Sequence, residues 1–562
     1  MSYDPTRFKD YFEHSFTYEA GFRRNTGRYG AAVAMLDPAT GREWTYRELA
    51  ADVDRVAAML AARGAAEGAR VAYQLFNGPE FAMLYLATQR LGAIGVPVNY
   101  RLAEGETAVI LRDSDPAVFI FDAEVASSAT QAVELAGSDA TLLVVGAPAT
   151  DDIESFAAAV DGTDGAVPAR TTAPSVYDET TRLYTSGTTG RPKGVPLPSI
   201  VEVMSAHDVI MHFPLRPQDR TLNMTPWFHR GGLYSGGPNP VFYVGGSVVP
   251  MRSFDAATAL DWVVRYGITF LIGAPTTLRM LADEQERTPR DLSGLRGIVT
   301  MGAPLDRAAV LRYQRLLTPR IFNGYGTTEA FWNTFLRPED LPEHAGSAGR
   351  ACTDDDVAVV RLYPDHRADP DDLAARDNAE VGEVIMRSPK SGFSYFNLPA
   401  ANEEKFVRGW LYPGDLATWD DDGFVTIVGR KDDMIISGGE NVHPVQVEEV
   451  LGAHPAVRDS VVIGLPDEHW GQRVVAYVIR AGADVSADDL DKHCLASADL
   501  ADFKRPQAYR FVTEVPMTAT GKKMHFQLAE QAVRDAADGL FEVPAGHDGH
   551  DGGQEPGMRG LL

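Results

Sequence analysis

Cysteine is nearly absent: Cys352 and Cys494 are the only two in 562 residues. Two cysteines cannot build a disulfide framework, and these are not spaced as a zinc site. That pattern points to a reducing, cytoplasmic setting. No apolar run approaches the roughly 20 residues a helix needs to cross a bilayer. The N-terminus, MSYDPTRFKDYFEH, lacks the basic start and apolar core of a signal peptide. Positive charge is also short, with 52 Lys+Arg against 78 Asp+Glu and a formal net charge of −26. Such a field repels nucleic acid and anionic membranes, so neither is expected as a partner. No internal repeat is visible. What remains is a chain with 44% hydrophobic residues, long enough to bury a large core and form more than one domain.

From about Thr45 to Gly349, helix-period stretches (47–63, 79–90) alternate with short apolar runs (71–76, 118–122, 141–145, 268–272, 297–300). That alternation predicts an α/β architecture in which largely parallel sheets are layered with helices. The stretch 147–180, rich in Asp, Ala, Thr and Pro, reads as an acidic surface connection. From Val381 to Arg430 the pattern turns β-rich, as in a barrel-like part. Residues 433–530 again mix strands (460–464, 474–479) with helices (444–452, 487–495). We therefore expect a large N-terminal domain over 1–431, a small α+β domain over 432–541 and a disordered tail over 542–562.

One segment stands out, Tyr184-Thr185-Ser186-Gly187-Thr188-Thr189-Gly190-Arg191-Pro192-Lys193-Gly194. Glycines let backbone N–H groups approach an anion, hydroxyls add donors, and Lys193 supplies a compact charge suited to polyphosphate. The spacing differs from a Walker A loop. A second glycine turn, Asn323-Gly324-Tyr325-Gly326-Thr327-Thr328-Glu329, ends in a carboxylate that beside a phosphate suits Mg²⁺. Asp415, after Gly414 in a tight turn, can accept hydrogen bonds from a ribose diol.

In order along the chain, these segments resemble the motifs of the adenylate-forming superfamily, which includes acyl-CoA synthetases, adenylation domains and firefly-type luciferases. The resemblance runs from about Trp44 to Leu528. It also takes in Gly92–Leu102, Pro226–Gly232 (PWFHRGG), Gly302-Ala303-Pro304-Leu305, Gly382-Glu383, Gly429–Val442 and Pro516–Lys522. It implies a large N-terminal domain, a mobile C-terminal domain and two half-reactions. In the first, a carboxylic acid and ATP give an acyl-adenylate and pyrophosphate. In the second, the thiol of CoA takes the acyl group and AMP leaves.

By the same resemblance, Thr185, Ser186, Gly187, Thr188, Thr189 and Lys193 hold the β/γ-phosphates, and Thr328 and Glu329 serve the α-phosphate and Mg²⁺. Gly302, Ala303, Pro304, Asn323, Gly324, Tyr325, Gly326 and Thr327 complete the nucleotide site. Asp415 grips the ribose with Arg430 near it, and Lys522 bridges the carboxylate and the α-phosphate. Asp432 stands at the hinge, and Ser437, Gly438, Gly439 and Glu440 admit the pantetheine of CoA. His229 lies where acyl group and thiol meet. Trp227, Phe228, Gly231, Tyr234, Ala274 and Met301 line the acyl pocket with it. The flat aromatic walls and the glycine pairs 231–232 and 236–237 favour an aromatic or polycyclic acid, as of specialised metabolism. A homodimer is compatible with the pattern. No carrier sequence follows Lys522, so a carrier protein, if it replaced CoA, would be a separate chain.

The sequence departs from the family pattern at Thr300-Met301, Phe331, Trp332, Ala351, Pro413 and Leu197–Val201. Several of these border the nucleotide. They raise a second expectation, that adenylation is weakened while thioester formation from a supplied adenylate survives.

Overall fold

The computed structural model describes residues 4–147, 152–186, 192–302, 305, 307–363, 365–437, 440–467, 470–482, 484–497, 500–517 and 523–545, save the side chains at 186, 440, 441 and 526. The chain divides into two compact units. One comprises Met1–Pro413 with Thr418–Ile427, the other Gly414–Ala417 with Val428–Leu562.

The first unit contains two large sheets. In one, the strand order is 154–155, Thr141–Val145, Val118–Asp122, Arg70–Gln74, Ile94–Pro97, Glu179–Ser186, Pro192–Pro198. All neighbours are parallel except the last pair, an antiparallel hairpin. The other sheet runs Arg350–Ala351, Phe331–Leu336, Ile321–Thr327, Gly297–Met301, Phe270–Gly273, Arg220–Asn223, Ser247–Pro250, Val33–Leu36, Glu43–Thr45. Its central strands are parallel, with one antiparallel pairing at the Glu43–Thr45 side and two in succession at the Arg350–Ala351 side. Strands buried on both faces read as unbroken apolar runs. Hence VFIFD is buried throughout, as are the strands FLIG and SVVP. The alternation in the sequence thus predicts the α/β fold correctly.

Helices close these crossovers with local signals. Thr45 caps helix Tyr46–Ala62, its hydroxyl accepting from the Glu48 N–H at 3.3 Å while Glu48 accepts from the Thr45 N–H at 2.8 Å. This reciprocal pair satisfies two otherwise orphaned donors. The acidic connection 147–180 is less featureless than its composition implies. Ser155 caps a short helix, Phe156–Asp161, whose Phe156 and Ala159 are buried. Two apolar side chains one turn apart are enough to dock it.

In the second unit the sheet order is Glu440–Val442, Ile435–Ser437, Gly471–Arg480, Val457–Asp467, with Ala508–Val512 parallel to Gly471–Arg480. Helices Pro444–Gly452 and Ala487–Ala496 contribute to one apolar cluster, and His525–Ala537 to another. Glu542 exchanges backbone hydrogen bonds with Tyr509 at 2.7 and 2.8 Å, and the Ala545 N–H donates to Asp488. The chain is therefore anchored past position 542, where a free tail was expected, because backbone pairing needs no apolar side chain. Residues 546–562 lie outside the described residues. Among the described residues no helix is long and apolar enough to cross a membrane.

Leu271 has no exposed surface in the middle of the larger sheet. Leu271→Ala should destabilise the first unit by about 2–5 kcal/mol, seen as an earlier unfolding transition in chemical denaturation.

Candidate active site

Four adjacent strands of the larger sheet deliver the candidate residues. Arg220–Asn223 leads into PWFHRGG, Phe270–Gly273 into Ala274, Gly297–Met301 into Gly302, and Ile321–Thr327 into Thr328 and Glu329. The first three pairings along this row are parallel. The loops therefore gather at the carboxyl ends of the strands, where open α/β sheets bind ligands. Gly302 has φ +89°, a conformation that suits the sharp exit from its strand.

Ile321–Thr327 turns back immediately into Phe331–Leu336. A Cβ on Gly326 would lie 1.5 Å from the Phe331 carbonyl oxygen, and one on Gly324 would lie 2.9 Å from the Trp332 ring. The two glycines are therefore required by close approach within this hairpin, quite apart from any ligand. Phe331 sits at φ +63°, which is unusual for a bulky residue. Its ring stacks on Trp332 at 4.9 Å, and both are buried. Trp332 packs further on Phe213 and Phe335, and Phe331 on Tyr234. These large residues are thus core packing, and they give no support to an obstructed nucleotide site.

The phosphate segment forms the antiparallel hairpin Glu179–Ser186/Pro192–Pro198, in which Thr185 pairs with Lys193. Gly187, Thr188 and Thr189 lie outside the described residues, as does the Ser186 side chain. The Lys193 ammonium stands 5.3 Å from the centre of the Tyr395 ring. The Tyr395 hydroxyl donates to Glu329 Oε1 at 2.7 Å. One tyrosine therefore connects the lysine of the phosphate hairpin to the carboxylate of the second glycine turn. Its own backbone is held by Asn402, which accepts from the Tyr395 N–H at 2.6 Å and donates to its carbonyl at 3.0 Å. The neighbouring Phe396 N–H donates to the Gly194 carbonyl at 2.8 Å.

Arg230 is the other connection that the sequence did not reveal. Its guanidinium donates to the Thr328 carbonyl at 2.6 Å, the Lys390 carbonyl at 2.7 Å and Ser205 Oγ at 3.1 Å. It also lies over the Tyr234 and Phe331 rings. Burial pulls its pKa down to about 10, partly opposed by the negative groups around it. The Lys390 side chain is buried too, 2.8 Å from Asp355 and 3.1 Å from Asp208. Burial alone would lower this ammonium's pKa, yet the two carboxylates, with Cys352 beside them, hold it above its ordinary value. Asp208 also pairs with His212 at 3.3 Å, and Cys352 is close by. The trio Asp208, His212 and Cys352 is compact enough to hold a metal, but Lys390 already supplies the cation there.

On the acyl side, Trp227 is fully buried edge-on to Phe81, and its backbone N–H donates to Asn77 Oδ1 at 2.7 Å. Tyr234 is also fully buried and donates to Glu202 at 2.8 Å. Glu202 accepts from Tyr85 and Asn239 as well, and burial raises its pKa. Phe228 packs edge-on to Tyr100 and lies 4.3 Å from the half-buried His229 ring. Ala274 is half-buried at the head of helix Pro275–Arg287. The glycines do not leave the room expected of them. A Cβ on Gly231 would lie 2.9 Å from the Met301 sulfur, one on Gly232 1.9 Å from the Pro226 carbonyl, and one on Gly237 2.0 Å from the Gly232 carbonyl. These residues are glycines because the backbone folds tightly on itself and on Met301.

In the second unit, Asp415 is buried, with Arg430 3.4 Å away, so these two nucleotide-site candidates meet. Asp432 lies exposed in the turn between Val425–Arg430 and Ile435–Ser437. Ser437 pairs with Glu440 in a hairpin. Gly438, Gly439 and Lys522 lie outside the described residues, as do Ala303 and Pro304 in the first unit.

Gly326→Ala should displace the Phe331 backbone and weaken ATP binding at least tenfold by calorimetry. It should also lower the melting temperature by several degrees, consistent with an overpacking cost of about 1–3 kcal/mol.

Comparison with known proteins agrees with this arrangement. Residues 22–396 match the family model described as AMP-binding enzyme, and 446–522 match the AMP-binding enzyme C-terminal domain. The chain is 33% identical over 531 residues to a 4-chlorobenzoate–CoA ligase of Arthrobacter sp., covering 91% of this chain and 94% of that one. It is equally, 33%, identical over 506 residues to a long-chain-fatty-acid–CoA ligase of Mycobacterium tuberculosis, covering 89% and 95%. Among solved structures, the anthranilate CoA ligase AuaEII in complex with anthranoyl-AMP superposes with a TM-score of 0.83 at 27% identity, covering 93% and 98%. The chain belongs to the AMP-binding enzyme family, and it is an adenylate-forming enzyme of the acid–thiol ligase type.

Proposed function

We propose that the protein joins an aromatic carboxylic acid to CoA through an acyl-adenylate, with ATP converted to AMP and pyrophosphate. The observation that carries the site assignment is the Lys193–Tyr395–Glu329 connection. It sets a phosphate-seeking cation and a carboxylate on one rigid scaffold at the strand ends.

The first half-reaction brings a carboxylate onto an α-phosphate, so two anions must meet and the barrier is mainly electrostatic. Lys193 and the hydroxyls of Thr185 and Thr328 favour the developing charge. Asp415 orients the ribose, with Arg430 beside it. Lys522 bridges the two reacting anions. The donors around Glu329 are a half-buried carboxylate and threonine hydroxyls, hard oxygen groups that fit Mg²⁺. Glu329 would hold the ion, which supplies charge neutralisation to the phosphates when bound. In the second half-reaction the thiolate attacks an already activated acyl group, and positioning matters most. His229 stands at the acyl end, and Ser437 to Glu440 admit pantetheine.

An aromatic acid is favoured by Met301, whose polarisable sulfur lies against Gly231 and leaves no passage there for an alkyl chain. Relatives that act on 4-chlorobenzoate and anthranilate agree with this reading. The reducing composition suits a cytoplasmic enzyme.

The test is a panel of benzoates, arylacetates, cinnamates and long-chain fatty acids with ATP and CoA, read by mass detection of the thioester. Aromatic acids should give the highest kcat/KM, and a preference for long-chain acids would overturn the substrate class. Met301→Ala should lower kcat/KM for the best aromatic acid by about two- to tenfold. Tyr395→Phe removes the donor to Glu329 but keeps the ring under Lys193. It should reduce kcat/KM for ATP by about ten- to hundredfold, from a charge-assisted hydrogen bond of roughly 1.5–3 kcal/mol. Pyrophosphate exchange measures that loss directly.

A further inference from the structure

Tyr395 and Glu329 share one hydrogen bond although 66 residues separate them in sequence, so the spacing of two distant segments decides whether it forms. The Tyr395 segment is first pinned to the phosphate hairpin. A Cβ on Gly392 would come 2.2 Å from the Pro196 carbonyl oxygen, so the two backbones touch there. The Phe396 ring lies 3.5 Å from the buried Arg182 guanidinium, which Glu179 holds by both of its oxygens at 2.8 and 2.9 Å. These contacts seat Tyr395 beside Lys193. They do not themselves reach the segment that carries Glu329.

Arg230 reaches both segments. Its Nη1 donates to the Thr328 carbonyl, which belongs to the peptide bond leading into Glu329. Its Nη2 donates to the Lys390 carbonyl, at the start of the segment that carries Tyr395. The two nitrogens sit at a fixed separation on one planar group, so covalent geometry sets the gap between the two carbonyls. The plane is fixed in turn. Ser205, on helix Ser199–His212, accepts from Nη2 at 3.1 Å, and the Tyr234 and Phe331 rings lie 5.4 and 5.3 Å from the guanidinium carbon. Arg230 is only 3% exposed, so water has little access to replace a lost bond.

We propose that Arg230 is a positioning residue that sets the spacing between Tyr395 and Glu329, and with it the placing of Lys193 and Glu329 towards ATP. It acts through the two backbone carbonyls and not by touching the nucleotide. The inference rests on the role proposed above for Lys193, Tyr395 and Glu329 in adenylation. Thioester formation from a ready-made acyl-adenylate has no β- and γ-phosphates to place, so the effect falls mainly on the first half-reaction.

The experiment measures the two half-reactions separately in the full-length enzyme, as pyrophosphate exchange with acid and ATP, and as thioester formation from a preformed acyl-adenylate and CoA. Arg230→Lys keeps the charge but offers one nitrogen in place of a fork. It should lower kcat/KM for ATP in exchange by about ten- to hundredfold, the scale expected when a reacting group is misplaced by up to about 1 Å, and thioester formation by about threefold at most. Because Arg230 acts through the Tyr395–Glu329 bond, combining Arg230→Lys with Tyr395→Phe should leave exchange within about threefold of the slower single variant, as residues of one network are not additive. If Arg230→Lys fails to fold, Arg230→Gln, which has no buried charge to compensate, carries the same three readings. Wild-type exchange, an equal fall in both half-reactions, or losses that multiply in the double variant would overturn the inference. Glu329→Gln separates it from the reading on which it rests. Intact exchange in that variant refutes the site assignment itself, whereas lost exchange there with normal exchange in Arg230→Lys refutes only the role of Arg230.

Discussion

A buried arginine joins segments that carry the first unit's candidate residues. Arg230 reaches the carbonyls of Thr328 and Lys390, which come from segments remote from it in sequence, and the hydroxyl of Ser205. Its direct hydrogen bonds go to neutral oxygens, so the charge is compensated at longer range by Glu202, Glu329 and Asp355. Removing a charged donor from such a place would leave several buried acceptors without partners. The planar fork of arginine explains the choice, because one rigid group can bridge several acceptors at once where a lysine offers only a point charge. Tyr234 and Phe331, whose rings lie below the guanidinium, gain both packing and cation–π attraction.

This arrangement answers a problem set by the composition. A chain of net charge −26 must receive an anionic nucleotide, so the attraction has to be local. In the function proposed above Lys193 provides it, and the structure keeps its ammonium over the Tyr395 ring rather than paired to a carboxylate within contact distance among the described residues. By contrast, Lys390 and Lys523 are bound to carboxylates and are committed to structure. Three lysines of identical chemistry thus have different duties according to what faces them.

Some departures from the family pattern change meaning once packing is known. Phe331 and Trp332 are core, and the glycines opposite them exist to let the hairpin close. Met301 keeps its relevance, because its sulfur occupies the space beside Gly231. The large residues near the nucleotide motif therefore supply no reason for a weakened adenylation step.

The sequence by itself determined the fold class and the alternation of strands and helices, because periodicity and capping act over a few residues; the glycines 324 and 326, read as a turn, instead stand in the strand Ile321–Thr327. It also identified Glu329, Lys193, Asp415 and Arg430 as candidates, since each belongs to a short motif. Only the tertiary structure decided that Tyr395 joins Lys193 to Glu329, that Arg230 joins PWFHRGG to Thr328, and that Lys523 meets Glu448 and Asp459. Those contacts link segments far apart in the chain. A tyrosine or arginine outside a recognised pattern carries no local mark of the partner that folding will bring to it.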